Sequence, residues 1–438
     1  MRPGHATVGL LCGTGLALIT ACGGGGGDGS PAPAAARPVP ASVCGPITYG
    51  GSGRPRLLIV NSGPLQGPVS DHGVQNAQAA KLVLAQRRWR AGDFTVGVQV
   101  CDEAAAGSPV PSASKCARNA KAFAADRSVV AVLGPVFSTC GYAMVPFLNR
   151  APGGPLAIVS MSNTYLGLTR KGPGVAAGDP DRLYPTGTRN YARMAPDDDV
   201  LGAAAALYAQ RLGVRRPYVL HHDEAYGYGV AIAFRTAAQR LGMKIAGTAR
   251  WDRRAPNYVR LAGRIRQAGA DGVYLGGYAA DNGAKLVKDL RDRLGAGVPF
   301  LSPDGFNQPA RIVEGAGERA DGLITMIASF PSRALAPAGQ RFAREFKHRF
   351  GALPCCFAMH TAQATQLLLD AIARSDGSRS SVLRNILRTR VRDGLLGNFE
   401  FDKFGDTTLR TIAVYRIQGG SLHYVTAISP AAELLARK

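Results

Sequence analysis

From Arg56 onward, short apolar runs alternate with segments whose apolar residues recur every three or four positions. Leu57–Val60, Thr95–Val100, Val129–Leu133 and Leu156–Val159 are nearly continuous apolar runs of strand length, the pattern of parallel strands buried on both faces. Helical periodicity fills the gaps near 72–90, 114–125 and 139–149. The rhythm resumes with Tyr218–Leu220, Lys244–Thr248, Gly272–Leu275 and Val298–Leu301. Between these, Ala231, Phe234, Ala238 and Leu241 share one helix face before Gly242, and Leu261, Ile265 and Ala268 do so before Gly269. Glycine there accepts the left-handed conformation that ends a helix. Repeated strand–helix units imply right-handed crossovers and parallel sheets covered by helices, an α/β fold. The last third breaks the rhythm. A helix carrying Phe342, Phe346 and Phe350 and another over roughly 361–374 precede the strand-like Gly397–Asp402, Thr411–Ile417 and Leu422–Ala427. No long internal repeat is visible, which argues against a solenoid or propeller.

The N-terminus follows another pattern. Arg2 precedes an apolar run from Val8 to Ala21, too short to span a bilayer and of the size of a signal-peptide core. It ends in Leu18-Ile19-Thr20-Ala21-Cys22, which resembles the bacterial lipobox, where the cysteine is acylated and becomes the mature N-terminus. A Gly- then Pro/Ala-rich stretch to Val43 has too little apolar surface for a core and reads as a tether. The expected organisation is a signal peptide over 1–21, acylated Cys22 with a flexible tether over 22–54, and a globular part beginning near Arg54. No later apolar stretch has membrane-spanning length.

The formal charge is +22, from 52 Lys+Arg against 30 Asp+Glu. Arg211, Arg240, Arg264 and Arg266 lie scattered along helix faces and form no basic run interleaved with aromatics. The charge therefore reads as solvation and weak attraction to an anionic membrane surface, with no nucleic-acid partner. Of eight cysteines, Cys12 leaves with the signal and Cys22 takes lipid. Cys44, Cys101, Cys116, Cys140, Cys355 and Cys356 remain, an even number that suggests disulfides in an oxidising compartment. Adjacent cysteines rarely bridge, so the state of Cys355 and Cys356 stays open.

Six motifs in order carry a resemblance. They are Leu133-Gly134-Pro135-Val136-Phe137-Ser138; Ile158-Val159-Ser160-Met161-Ser162-Asn163-Thr164 with Leu168-Thr169; Arg193 through Asp198 to Gly202; Tyr226-Gly227-Tyr228-Gly229; Asp271-Gly272-Val273-Tyr274 with Gly276-Gly277-Tyr278; and Pro303-Asp304-Gly305. Together they resemble the leucine/isoleucine/valine-binding protein family, of the type I periplasmic-binding fold. The resemblance implies two lobes, each a mainly parallel sheet flanked by helices, joined by a hinge of three crossings near Ala195–Asp197, Met326–Phe330 and Gly394–Gly397. The first lobe is expected over 55–196 plus 328–395 and the second over 197–327 plus 396–438. It further implies an exported, monomeric, membrane-anchored binding protein that hands a small molecule, an amino acid or a related polar compound, to ABC permease and ATPase subunits. A sensor of the same fold feeding a signalling partner is the alternative. Family members often staple one edge of the first lobe, so Cys101, Cys116 and Cys140 are expected close together, with Cys116–Cys140 favoured over Cys101–Cys116. Two departures stand out: Met161 replaces a frequent proline, and Asp304 stands where some members carry glutamate.

Read from the residues alone, the motifs fall where open α/β sheets bind ligands, beyond the carboxyl ends of strands. Ser138 opens a helix whose N–H groups and dipole favour an anion, and Ser162 and Thr164 offer further donors. Tyr226 and Tyr278 present rings to an apolar or cationic group, and Asp304 and Asp198 are counter-ions for an ammonium. Asp197 and Asp199 read as a solvated helix start. His221-His222-Asp223-Glu224 invites a metal, but neighbours on an extended chain point apart. No metal or cofactor is expected. No G-x-S-x-G elbow, H-E-x-x-H or Cys/His constellation appears, so the chain is not read as an enzyme.

Overall fold

The computed structural model describes residues 35–105 and 112–435. The expected signal peptide, Cys22 and the first part of the tether lie outside the described residues. The described chain builds two mainly parallel sheets flanked by helices, the expected fold class. Among the described residues no helix is long and apolar enough to cross a membrane.

The first sheet contains β1 (Leu57–Gly63), β2 (Arg90–Ala91), β3 (Phe94–Asp102), β4 (Val129–Leu133), β5 (Ala157–Ser160) and β6 (Tyr191–Arg193), in the order β2-β3-β1-β4-β5-β6. Only the short β2 is antiparallel. Every residue of β1, β4 and β5 is buried, which is why those runs show no polar alternation. Helices α1 (Ser70–Gln86), α2 (Ala113–Ala125) and α3 (Ser138–Asn149) connect them.

After β6 the chain enters α4 (Asp198–Arg211) and builds the second sheet from β7 (Pro217–His221), α5 (Ala225–Arg240), β8 (Gly247–Arg250), α6 (Val259–Gln267), β9 (Gly272–Gly276), α7 (Gly283–Leu294), β10 (Phe300–Ser302), α8 (Pro309–Ala316) and β11 (Ile324–Ile327). It then returns to the first lobe. Of α9 (Pro337–Phe350), α10 (Ala358–Ala373) and α11 (Arg379–Leu387), α10 packs along α1, and α10 and α11 lie on β4 and β5. A hairpin of β12 (Arg390–Gly394) and β13 (Gly397–Glu400) follows. Last come β14 (Ile412–Gln418) and β15 (Ser421–Ile428), antiparallel beside β11, giving the order β15-β14-β11-β10-β9-β7-β8.

Three expectations need correction. Gly394–Gly397 is the turn of a hairpin and not the third crossing. Beyond it the Arg193 amide donates to Gly405 O at 2.9 Å and Asp406 bridges Arg193, so the chain still runs beside β6 until it joins the second sheet at Ile412. Two glycines around a pair of leucines serve a reverse turn as readily as a link between lobes.

The tether, secondly, gives way to packed structure from Ala36 onward. Ala36 and Val39 are each 1% exposed, and Thr48 pairs with Val98 on β3. The buried Gln99 side chain accepts the Val39 amide at 2.8 Å and donates to Val39 O and Gly45 O. A segment without periodicity is held because one glutamine satisfies its backbone.

Thirdly, Cys101 bridges Cys44, not Cys116. Cys116 and Cys140 are joined, as favoured from the resemblance. Cys355 and Cys356, left open, are bridged to each other.

Candidate functional site

The loops after β4, β5, β7, β9 and β10 face one another across the space between the sheets. They enclose a cavity lined by Ser138, Ser162 and Thr164 from the first lobe and Tyr226, Tyr278 and Asp304 from the second. Six of the seven residues singled out in the sequence thus come together. Asp198 does not line this cavity. It starts α4 below the surface, 1% exposed, with the Thr164 side chain beside its carboxylate. Burial pushes its carboxyl well above the usual range, and the charge of Asp304 acts in the same direction.

On the first-lobe wall, α3 opens at Ser138 with no side-chain cap from Phe137. Ser138 Oγ accepts the amides of Thr164 and Tyr165, each at 3.2 Å. A hydroxyl oxygen has two lone pairs, so its proton is what remains to offer. Ser162 is different: its hydroxyl donates to Val136 O at 2.8 Å and its amide to Ser160 Oγ. The donor role expected of Ser162 is therefore taken up inside the loop, as is the Thr164 amide. The loop is fixed from below by Arg193, fully buried. Its guanidinium donates to Tyr165 O at 3.0 Å, Asp406 Oδ1 at 2.7 Å and the Thr169 hydroxyl. Arg170 donates to the other oxygen of Asp406 at 2.7 Å.

On the second-lobe wall, Tyr226 OH donates to Asp304 Oδ1 at 2.5 Å and accepts the Gly305 amide at 2.9 Å. Tyr226 and Tyr278 stack at 4.7 Å, with His222 on Tyr278 at 5.1 Å. Burial pushes Asp304 up to about 6, opposed by the Tyr226 hydrogen bond. Among the described residues no lysine or arginine lines the cavity, so this carboxylate has no such cationic partner among them. Across the gap the Phe137 ring meets Tyr278 edge-on at 5.3 Å, and Thr139 Oγ1 donates to Glu224 at 3.0 Å. The two lobes are closed on each other.

The run His221-His222-Asp223-Glu224 divides: His222, Asp223 and Glu224 line a second cavity together with Arg250, Arg253 and Asp281, and His221 does not. His222 turns inward against Trp251, its Nδ1 accepting the Glu224 amide at 3.0 Å, while His221 lies edge-on to Tyr228. Eight further lining residues were not singled out in the sequence, among them His72, Phe137, Gln308 and Phe357. Gln308 Oε1 is buried without a hydrogen-bond partner among the described residues. Phe137 was within reach, adjacent to Ser138 in the motif. His72, Gln308 and Phe357 carry no local signal, because the fold alone brings α1 and the start of α10 to the cleft.

The sequence model of the periplasmic binding protein family matches residues 59–421. The chain belongs to that family. The amino acid binding protein of Pseudomonas aeruginosa is 26% identical over 225 residues, 51% of this chain and 59% of that protein, so the match spans little more than half of that relative. The Leu/Ile/Val-binding protein homolog 1 of Brucella suis is 24% identical over 86% of this chain and 94% of its own. The crystal structure of a leucine binding protein from Thermotoga maritima superimposes with a TM-score of 0.72 at 22% identity, covering 85% of this chain and 99% of that one. In this periplasmic binding protein the cavity lies where the two lobes meet.

Proposed function

We propose that this periplasmic binding protein captures an amino acid of the branched-chain kind, or a close polar relative, for an ABC importer, and that it is an exported lipoprotein anchored through Cys22. The observation that carries the ligand class is the polarity of the cavity. A hydroxyl with its proton to spare opens a helix on one wall, and a carboxylate without a cationic partner sits on the other. Such a pair suits a carboxylate and an ammonium at opposite ends of one molecule. The apolar surfaces between them, Val69, Val136, Phe137 and Phe357, suit an aliphatic side chain. The names of the relatives point the same way. Ser138, Thr164, Tyr226, Tyr278 and Asp304 are the residues assigned to the ligand, with Ser162 and Asp198 supporting the loop and the hinge.

A zwitterion gripped at opposite ends has its full affinity only when the lobes are closed, which couples binding to closure. Titration calorimetry with L-leucine and with 4-methylpentanoate, which keeps the carboxylate and lacks the amine, tests the assignment. Charge-assisted hydrogen bonds are worth about 1.5–3 kcal/mol. Ser138→Ala should therefore weaken both compounds about tenfold or more, and Asp304→Asn should weaken L-leucine by as much while sparing 4-methylpentanoate. Unchanged L-leucine affinity in both variants would remove the pocket from its assigned role. Labelled palmitate incorporated by the wild type and lost in Cys22→Ser checks the anchor.

A further inference from the structure

We propose that the Cys355–Cys356 disulfide is part of the ligand site, a clamp that positions Phe357 as its side-chain selectivity wall. This rests on the reading of the cleft as the ligand cavity. Phe357 lines that cavity and is buried, its ring edge-on to His360 at 5.2 Å. The backbone that delivers it is unusual. Cys356 and Phe357 have φ of +57° and +69°, two successive left-handed residues of which neither is glycine. Side chains disfavour that region, and such conformations persist only where the surroundings over-determine them. Here the surroundings are visible. The bridge between adjacent cysteines closes a small ring around one peptide bond. The Cys355 amide donates to Gln75 Oε1 on α1 at 2.8 Å, and the Ala358 amide donates to Cys355 O at 2.8 Å. The Thr361 amide then takes Phe357 O into the first turn of α10.

The placement gives this local geometry a use. Gln75 sits one turn beyond His72 on α1, and His72 and Val69 line the same cavity. The ring of the two cysteines is thereby docked on the wall it helps to build, with Cys355 at the surface and Phe357 inside. Without the bridge, Cys356 and Phe357 are free to return to negative φ, which swings the phenyl ring off its seat. A bulky aromatic held there limits the volume open to a ligand side chain. The clamp therefore favours a compact aliphatic side chain over an aromatic one.

The test compares wild type, Phe357→Ala, the double variant Cys355→Ser/Cys356→Ser and the combined triple variant, with L-leucine and L-phenylalanine as probes. Phe357→Ala should bind L-leucine about tenfold more weakly and lose most of its preference over L-phenylalanine. The double cysteine variant should reproduce that shift, and the triple variant should be no worse than Phe357→Ala, since the cysteines act through the ring. Additive losses in the triple variant, or wild-type selectivity in the double variant, would overturn the proposal. Hydrogen exchange on the unliganded proteins supplies a readout independent of any ligand. Segments 354–361 and 69–76 should exchange faster in the double variant than in wild type, and equal rates would also overturn it. If neither amino acid binds wild type, the ligand class proposed above fails while the exchange comparison still decides whether the clamp holds Phe357.

Discussion

Asp304 faces the cavity with a tyrosine hydroxyl as donor and, among the described residues, no lysine or arginine on the lining. Its carboxyl, held near 6 by burial, keeps its proton where an unfolded chain, titrating at about 3.9, has lost it. Between those values the stability of the unliganded protein falls as pH rises, because the folded form resists ionisation. A bound ammonium reverses the preference, so amino-acid affinity should rise as pH rises through about 6 and then level. At pH 5 about one molecule in ten carries the charge, and L-leucine should bind about tenfold more weakly than at pH 7.5. In Asp304→Asn that slope should vanish, and calorimetry at the two pH values checks both statements. Ser138, Thr164, Tyr226, Tyr278 and Asp304 were legible as single residues because each follows a strand at a motif. The true state of Ser162 was not, since only the folded loop shows that Val136 O takes its proton.

At the scale of elements, α4 and α5 show why Gly202 closes the motif that begins at Arg193. Helix α4 is buried almost throughout, and a Cβ at Gly202 would lie 2.4 Å from Phe234 N and 2.6 Å from Ala233 C on α5. Backbone atoms do not yield as a flexible side chain does. Gly202→Ala should cost about 1–3 kcal/mol, read as a lower urea midpoint at unchanged slope. Gly263→Ala in α6, where a Cβ meets nothing within 4 Å, should instead be neutral or stabilise by up to about 1 kcal/mol. The βα units were readable because buried strands and helical faces leave periodic traces. Of the hairpin at Arg390–Glu400 only the second strand leaves such a trace, and the cover formed by residues 36–54 leaves none. The hairpin mimics a crossing, and the cover depends on Gln99, whose role appears only when β3 is in place.

For the whole molecule, closure is the motion that matters. The lobes touch through Phe137 and Tyr278 and through the Thr139–Glu224 hydrogen bond, contacts that opening must break. Small-angle scattering on the ligand-free protein should show a larger radius of gyration than with saturating L-leucine, and Glu224→Ala should enlarge the ligand-free value or leave it unchanged, never reduce it. No change on adding ligand would remove hinge closure from the mechanism. The two-lobed plan was legible from the alternating pattern and the family motifs. The third passage between lobes was not, because pairing of Gly405 and Asp406 with Arg193 is a long-range event.

The Cys44–Cys101 bridge bears on how this molecule works as a machine. It fastens the N-terminal segment covalently to β3, at the cleft end of the first sheet. A pull on that segment is delivered to the first lobe, with no load passing through the cleft. Under the anchor proposed at Cys22, the two halves are thus mechanically unequal, one a jaw held through this bridge and the other a jaw free to swing.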